Sequence, residues 1–409
     1  MAELGSMSLY VALALAVYSG VGSVLGKLKG SVQFQDSSRY SAYMIVAMLG
    51  LATLALVTAF LNHDFSLEYV AAESDLALSP VYTWVAFYAG NAGSMLFIAL
   101  ILAIFVAVAI AFMPASLSSS LPYTTAIMMA ALAFFLGITV WLNPFATFAV
   151  APADGQGLNP LLRHPGMFLH PPLQMAGLIG IAVPFSIVMG HLVTGRVGDE
   201  WVEIVRVWTL VVWGLLGIGI LLGSWWAYTI LGWGGFWGWD PIENVALMPW
   251  LVLTAFVHSI MVQKRRGMFR MWNVALINLS FVLALFGIFI NRGGPVVSVH
   301  SFAQSPIGWM FLAFMVVSLV FSFGVFFWRF NALRSMASLE SSLSREAAFL
   351  VNNLLFLGVT FVTLWGVVFP LVSQVFQGVT VTVAAPYYNQ MRVEAGRGAG
   401  VSPRGRGGH

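Results

Sequence analysis

Ten apolar runs, each close to the length that crosses a bilayer core, constrain this chain more than any other feature. They fall near 7–26, 41–61, 84–112, 122–142, 172–194, 207–229, 247–263, 272–290, 307–329 and 348–372. In hydrocarbon every backbone N–H and C=O must be satisfied within the protein, and a run of this length does so as a helix. Only 8% of the 409 residues are charged, where soluble domains carry about 25%. The expected fold is all-α: a polytopic helical membrane protein of about ten transmembrane helices over 1–372, followed by an outward-facing tail over 373–409. From about 391 the tail is rich in Gly and Arg. Such a segment cannot build a core and is expected to be disordered.

Orientation follows from the basic residues. Lys27, Lys29 and Arg39 lie in one loop, and Arg196 and Arg206 in another. Lys264, Arg265, Arg266 and Arg270 lie in a third, and Arg329, Arg334 and Arg345 in a fourth. If ten spans simply alternate, all four loops share one side, which the positive-inside rule makes cytoplasmic. The opposite loops hold Arg163 and Arg292 with the acidic Asp64, Glu68, Glu73, Asp75 and Asp154. Both termini and the 143–171, 225–250 and 291–306 segments are therefore expected on the outer, periplasmic side of a bacterial inner membrane. This sorting accounts for the net charge of +3, so the charge gives no reason to expect a nucleic-acid partner.

The chain has no cysteine, which excludes disulfides, thiol catalysis and thiolate metal ligands from the chain itself. The first apolar run lacks a basic leader and a clear Ala-x-Ala site, so it is expected to be a retained span.

Between spans six and seven the sequence reads Trp233-Gly-Gly-Phe-Trp-Gly-Trp-Asp240-Pro-Ile-Glu243-Asn244. Trp225, Trp226, Trp233, Trp237, Trp239 and Trp250 crowd into this one region. Interfacial belt tryptophans are spread over all span ends. Concentrated here, they suit a flat, apolar, polarizable ligand, and porphyrin is the obvious candidate. Gly232, Gly234, Gly235 and Gly238 would let backbone and ring approach closely.

Histidines flank this loop. His170, in Leu-His170-Pro-Pro, and His300, in Ser-Val-His300-Ser-Phe, share its expected side and are candidate axial ligands of haem iron. The alternatives are a polar residue ahead of a Pro-Pro helix start for His170 and an ordinary loop residue for His300. His258 sits inside span seven, where an ionisable residue is a functional-site hypothesis. It is a candidate ligand of a second, buried haem, against a neutral histidine bonded across helices. His191 is the candidate second ligand for that haem, and His164 a spare ligand in the outer loop. Asp240, Pro241 and Glu243 have the spacing of a capping box at the start of span seven. That role is compatible with a rigid cap under the tryptophans. Arg292 suits a haem propionate, or is an interfacial anchor.

These residues resemble a known family. Trp225-Trp226-Ala-Tyr, the run from Trp233 to Asn244, and Met248-Pro249-Trp250 are similar to the WWD signature of cytochrome c biogenesis. Asp64-Phe-Ser-Leu-Glu-Tyr, Asn143-Pro-Phe, Leu158-Asn-Pro-Leu-Leu, Leu169-His170-Pro-Pro-Leu, Ser298-Val-His300-Ser-Phe-Ala, Ser344-Arg345-Glu346 and Pro386-Tyr-Tyr-Asn389 resemble the CcmF/NrfE-type haem lyases. The resemblance covers about 8–390. It implies that haem arrives on a CcmE-type membrane-tethered chaperone. The lyase then joins the haem's vinyl groups to Cys-x-x-Cys-His cysteines of apocytochrome c, with a CcmH-type thiol-handling subunit as partner. It implies His170 and His300 as ligands of the incoming haem. It also implies His258 as one ligand of a b-type haem that keeps the incoming iron reduced.

Three departures stand out. Family members usually continue past this chain's end, and the second buried-haem histidine lies there. That ligand is therefore expected from a separate C-terminal lyase subunit or from a longer form of the chain. Phe236 and Gly238 replace expected aromatics, and Asn91-Ala92 stands where the family tends to show His-Glu. The competing expectations are a CcmC-like haem presenter that forms no thioethers, and a transporter of another apolar solute.

Overall fold

The structure, a computed structural model, describes residues 1–196, 198–298, 305–334 and 344–390. Its helices are α1 (Ala2–Leu28), α2 (Val32–Leu61), α3 (Glu68–Glu73), α4 (Thr83–Ala89), α5 (Asn91–Ala111), α6 (Leu121–Leu142), α7 (His170–Gly180), α8 (Ala182–Val193), α9 (Val202–Ile230), α10 (Pro241–Arg266), α11 (Arg270–Gly293), α12 (Gly308–Trp328) and α13 (Arg345–Gln377). Ten helical segments among the described residues are long and apolar enough to cross a membrane, α7 and α8 counting as one. The described residues contain no strand, only one isolated bridge between Leu67 and Thr147. The fold is all-α, as expected from the apolar runs.

Two of those runs are broken. The third expected span, 84–112, splits at Gly90, whose backbone is extended and whose N–H donates to the Tyr69 hydroxyl at 3.1 Å. A Cβ on Gly93 would collide with the Phe87 carbonyl, so the close turn depends on glycine. The fifth span splits between α7 and α8. Pro184 has no N–H for the carbonyl of Gly180 four residues back, and α7 ends at Gly180. The tenth span runs on to Gln377, past the expected 372.

The α7–α8 segment, α10 and α11 form the buried centre, while α9, α12 and α13 present most of their surface outward. Helix α9 packs on α7 and α10, and α13 packs along α10. Small residues carry the closest approach: Cβ atoms on Gly177 and Gly219 would lie within 2.7 Å of the facing backbone of α9 and α7. Without a hydrophobic force between helices in lipid, such contacts and interhelical hydrogen bonds hold the bundle.

At one end the connections converge. The Trp226 indole donates to the Leu161 carbonyl, Arg292 reaches Asn91, and Ser298 donates to Asp240. At the other end lie the ion pairs Arg270–Asp199 (2.6 Å), Lys264–Glu203 (2.6 Å) and Arg266–Glu346 (3.4 Å). The Arg329 guanidinium caps the carbonyl of Leu192 at this same end.

Candidate functional site

The tryptophan loop is set by the start of α10. Asp240 is the N-cap, with its carboxylate accepting from the Ile242 N–H at 3.0 Å, and Pro241 follows at the first helical position. Glu243 reaches back to the N–H groups of Asp240 (3.1 Å) and Gly238 (2.9 Å). The expected capping box is present, and it also holds the loop's last glycine. Asp240 additionally accepts from Ser298, two residues before His300, and His300 itself lies outside the described residues.

The six tryptophans do not make one shelf. Trp226 is buried and tethers the 159–162 turn through the Leu161 carbonyl. Trp225 is half exposed and meets His164 edge-on, with ring centroids 4.8 Å apart. The Trp233 indole donates to the Gly235 carbonyl and closes the loop on itself. The remaining three line a groove between α9 and α10, joined by Trp213, which lies outside the tryptophan cluster in sequence. Trp213 and Trp250 stack at 5.6 Å and 15°, and Trp237 and Trp239 meet edge to face at 6.0 Å. Gly214 and Gly217 complete the wall, and the groove encloses about 800 Å³. That is the size range of small-molecule and cofactor sites, roughly 300–1,000 Å³.

His170 does not line this groove; it lines a neighbouring cleft that shares Ile220, Ser224 and Trp237 with it. Its Nδ1 lies 2.7 Å from the carbonyl of Gly219 on α9. A carbonyl only accepts, so Nδ1 carries the proton and the lone pair is on Nε2, the arrangement a metal-ligating imidazole needs. A Cβ on Gly223 would collide with the ring, so the Gly219-x-x-x-Gly223 spacing makes room for the histidine. His170 is the first residue of α7, directly ahead of Pro171-Pro172, as the helix-start alternative expects. His170, Gln174 and Trp237 share a small cleft of about 40 Å³ beside the groove.

On its other side His170 faces a chamber of about 160 Å³, lined also by Trp226, Asn291 and Arg292. Arg292 is buried, so it is not an interfacial anchor. Its guanidinium donates to Asn91 Oδ1 (3.0 Å) and Ser94 Oγ (2.9 Å). Asn91 belongs to the stretch that departs from the family pattern. Among the described residues no carboxylate forms an ion pair with Arg292, and a buried charge without a counter-charge is costly. The nearby Glu73 carboxyl, which touches Gly90, is pushed up to about 7 by burial.

His258 lies on α10 with its ring against Phe349 and Phe356 of α13, at 6.1 and 6.3 Å between centroids. Its Nδ1 donates to the Thr254 carbonyl at 2.7 Å, which again leaves the lone pair on Nε2. His191 is fully buried and approaches Glu200 at 3.6 Å, away from that face. Nothing brings it to His258. His164 has both nitrogens engaged: Nδ1 accepts from the Gly166 N–H, and Nε2 donates to Thr229. Burial holds its pKa below the ordinary imidazole range. It ties the outer turn to α9 and is no spare ligand in this state.

The described residues contain no cluster of three potential metal ligands of the His/Cys/Asp/Glu type. The donor set instead suits a metal carried inside a flat macrocycle: single imidazoles with Nε2 lone pairs, apolar aromatic walls, and one buried cation.

A model of the family described as "Cytochrome C assembly protein" matches residues 88–294. The chain is 38% identical over 392 residues to "Cytochrome c-type biogenesis protein CcmF" of Pseudomonas aeruginosa, covering 95% of this chain and 60% of that protein. It is 37% identical to the protein of the same name from Escherichia coli, with 96% and 61% covered. It is 34% identical to "Cytochrome c-type biogenesis protein NrfE" of Haemophilus influenzae, with 95% and 62% covered. The fold matches a solved structure titled "Cytochrome c Heme Lyase CcmF" with a TM-score of 0.78 and 30% identity, over 100% of this chain and 63% of the other. The chain thus spans about 60% of the length of these relatives.

Proposed function

The chain belongs to the cytochrome c assembly protein family, and on that footing we propose that it acts in cytochrome c maturation as a haem lyase, whole or as the N-terminal subunit of one. One juxtaposition carries this reading. A tryptophan-lined groove of about 800 Å³ shares its Trp237 wall with a small cleft that holds an imidazole whose lone pair is on Nε2. Across that imidazole lies a buried guanidinium without a carboxylate.

Haem is the substrate in this scheme. His170, with His300 from beyond the described residues, ligates its iron. Trp213, Trp237, Trp239 and Trp250 cover its faces, and Arg292 takes a propionate. Trp225, Trp226 and Trp233 act one step back, by fixing the loop and the outer turn. Asp240 and Glu243 hold the start of α10, and with it the tryptophans. Thioether formation adds each cysteine S–H of apocytochrome c across a vinyl C=C, with no net oxidation. The cysteines belong to the partner, so this chain's residues orient the reactants and exclude water.

Nε2 of His258 would hold the iron of a resident b-type haem, which would supply electrons to keep the substrate iron ferrous. This chain contributes Nε2 of His258 and the faces of Phe349 and Phe356. The second ligand is assigned to a C-terminal lyase subunit or a longer form of the chain. The proposed partners are a CcmE-type chaperone, apocytochrome c and a CcmH-type subunit. The proposed setting is the bacterial inner membrane, with the tryptophan loop periplasmic. The basic residues gathered at the opposite end support that sidedness.

Co-expression with a Cys-x-x-Cys-His apocytochrome, the chaperone and a C-terminal lyase subunit tests the reading. Covalent haem on the apocytochrome, lost in His170→Ala, is the expected result. Haem bound to the chain and passed on without thioethers, in the complete set, would establish the presenter role instead.

A further inference from the structure

The indole of Trp239 is held by a segment 150 residues away. Trp239 has φ +57°, in the left-handed region that bulky side chains rarely adopt. Its carbonyl accepts from Asn244 Nδ2 at 3.0 Å, which fixes the backbone. Its ring lies flat on Tyr388, with centroids 4.8 Å apart and planes 8° from parallel. Its Nε1–H donates to Asn389 Oδ1 at 3.2 Å.

Tyr388 is itself anchored. It is buried, and its hydroxyl sits where Gly366 of α13 leaves no Cβ to obstruct it. The neighbouring Tyr387 hydroxyl donates to the Val362 carbonyl on the same helix. Behind them, the chain leaving α13 is pinned by Val381 N–H to Ser373 Oγ (2.9 Å) and by Thr380 to Gln374 (2.7 Å). Residues 385–390 form one more helical turn that carries the pair over the loop. Asn389, Trp239 and Trp237 then line the 800 Å³ groove together.

We propose that Tyr388 and Asn389 are positioning residues for the groove's ligand: clamped to α13, they hold Trp239 at the groove mouth in a conformation it would not keep alone. The inference rests on the reading that the groove takes a flat macrocycle. Ring stacking fixes the plane of the indole, and the Asn389 bond fixes its rotation within that plane. Without them the indole leaves its plane, while Asn244 still holds the backbone, and the mouth loses one wall. Because Tyr388 rests on α13, any partner that shifts α13 against α10 reaches the groove through this contact.

The test uses the full chain in detergent, with zinc protoporphyrin as the fluorescent probe. Tyr388→Ala is expected to weaken porphyrin binding about tenfold and Asn389→Ala about threefold, whereas Tyr388→Phe, which keeps the stack, binds as the unaltered chain does. In ligand-free protein, the fluorescence lost in Trp239→Phe identifies the Trp239 signal. Its acrylamide quenching is expected to rise in Tyr388→Ala and not in Tyr388→Phe. Equal affinities in all variants, or a Tyr388→Phe as weak as Tyr388→Ala, would overturn the proposal. If the unaltered chain takes up no porphyrin, the macrocycle reading of the groove fails. Quenching then judges the clamp alone, and an unchanged Tyr388→Ala signal overturns it.

Discussion

The Nδ1–H of His170 donates to the carbonyl of Gly219 at 2.7 Å, across the packed contact of α7 with α9. One hydrogen bond therefore sets the ring's tautomer, its rotation and its height beside the groove. The glycine one turn further along α9 leaves the space the ring occupies. Gly223→Ala should displace the imidazole while leaving both helices formed. Haem bound by the purified chain, read as the pyridine haemochrome, is expected to fall at least tenfold. Retention of the unaltered chain's haem and Soret spectrum would remove His170 from the ligand set.

Arg292 brings a buried charge to the chamber beside His170 without a carboxylate to meet it. Arg292→Met keeps the volume and removes the charge. Thermal stability should change little, because the desolvation cost that is relieved offsets the loss of two hydrogen bonds from the guanidinium to neutral acceptors. Binding of zinc protoporphyrin should fall about tenfold or more, while binding of its dimethyl ester should stay the same. Equal loss for diacid and diester would make Arg292 a tie between α11 and α5 and nothing more.

Glu73 titrates near neutrality because it is buried. Its folded pKa of about 7 lies above the ordinary carboxyl range, so the fold favours the neutral acid. The stability this contributes is full below about pH 4 and is lost as pH rises through about 7. Glu73→Gln mimics the neutral acid at every pH. Its unfolding free energy should match that of the unaltered chain near pH 4 and exceed it above pH 7, by a margin on the order of 3 kcal/mol once the carboxyl is ionised. Parallel melting curves across that window would show that the carboxyl ionises without cost.

Glu243 accepts from two backbone donors, Gly238 and Asp240. Glu243→Ala leaves both without this partner and should cost about 1–2 kcal/mol. Since Gly238 separates Trp237 from Trp239, the near-ultraviolet circular dichroism of that edge-to-face pair should weaken as well. Glu243→Gln, which keeps an acceptor oxygen, should restore most of both. A lost signal that Gln does not restore would point to the carboxylate's charge instead of its hydrogen bonds.

Much of this protein is legible in its residues one stretch at a time. Apolar length alone specifies the spans, because hydrocarbon leaves the backbone no other way to satisfy its polar groups. Asp240-Pro241-Ile-Glu243 specifies where α10 begins, because a capping box is made of neighbours in sequence. The breaks at Gly90 and between α7 and α8 were not legible: 84–112 and 172–194 read as unbroken spans, and Pro249 and Pro370 stand inside helices that continue. The crowding of tryptophans pointed to the 225–250 region, and three of its six line the groove between α9 and α10. Which of them line the groove was not readable: Trp213 and Trp250 do, Trp225 and Trp226 do not, and the local pattern treats them alike.

Only the tertiary structure decided what surrounds each functional side chain. Asn91 for Arg292, Gly219 for His170 and Tyr388 for Trp239 come from helices far apart in the chain. A water-soluble helix shows its packing face as an apolar stripe. A helix in lipid is apolar all round, so its sequence states that it crosses the membrane and leaves open which neighbour each face will meet. The sequence by itself determined ten crossings, one cap and the place of the tryptophan loop. Close packing of small residues against distant helices determined the groove, the tautomers and the clamp.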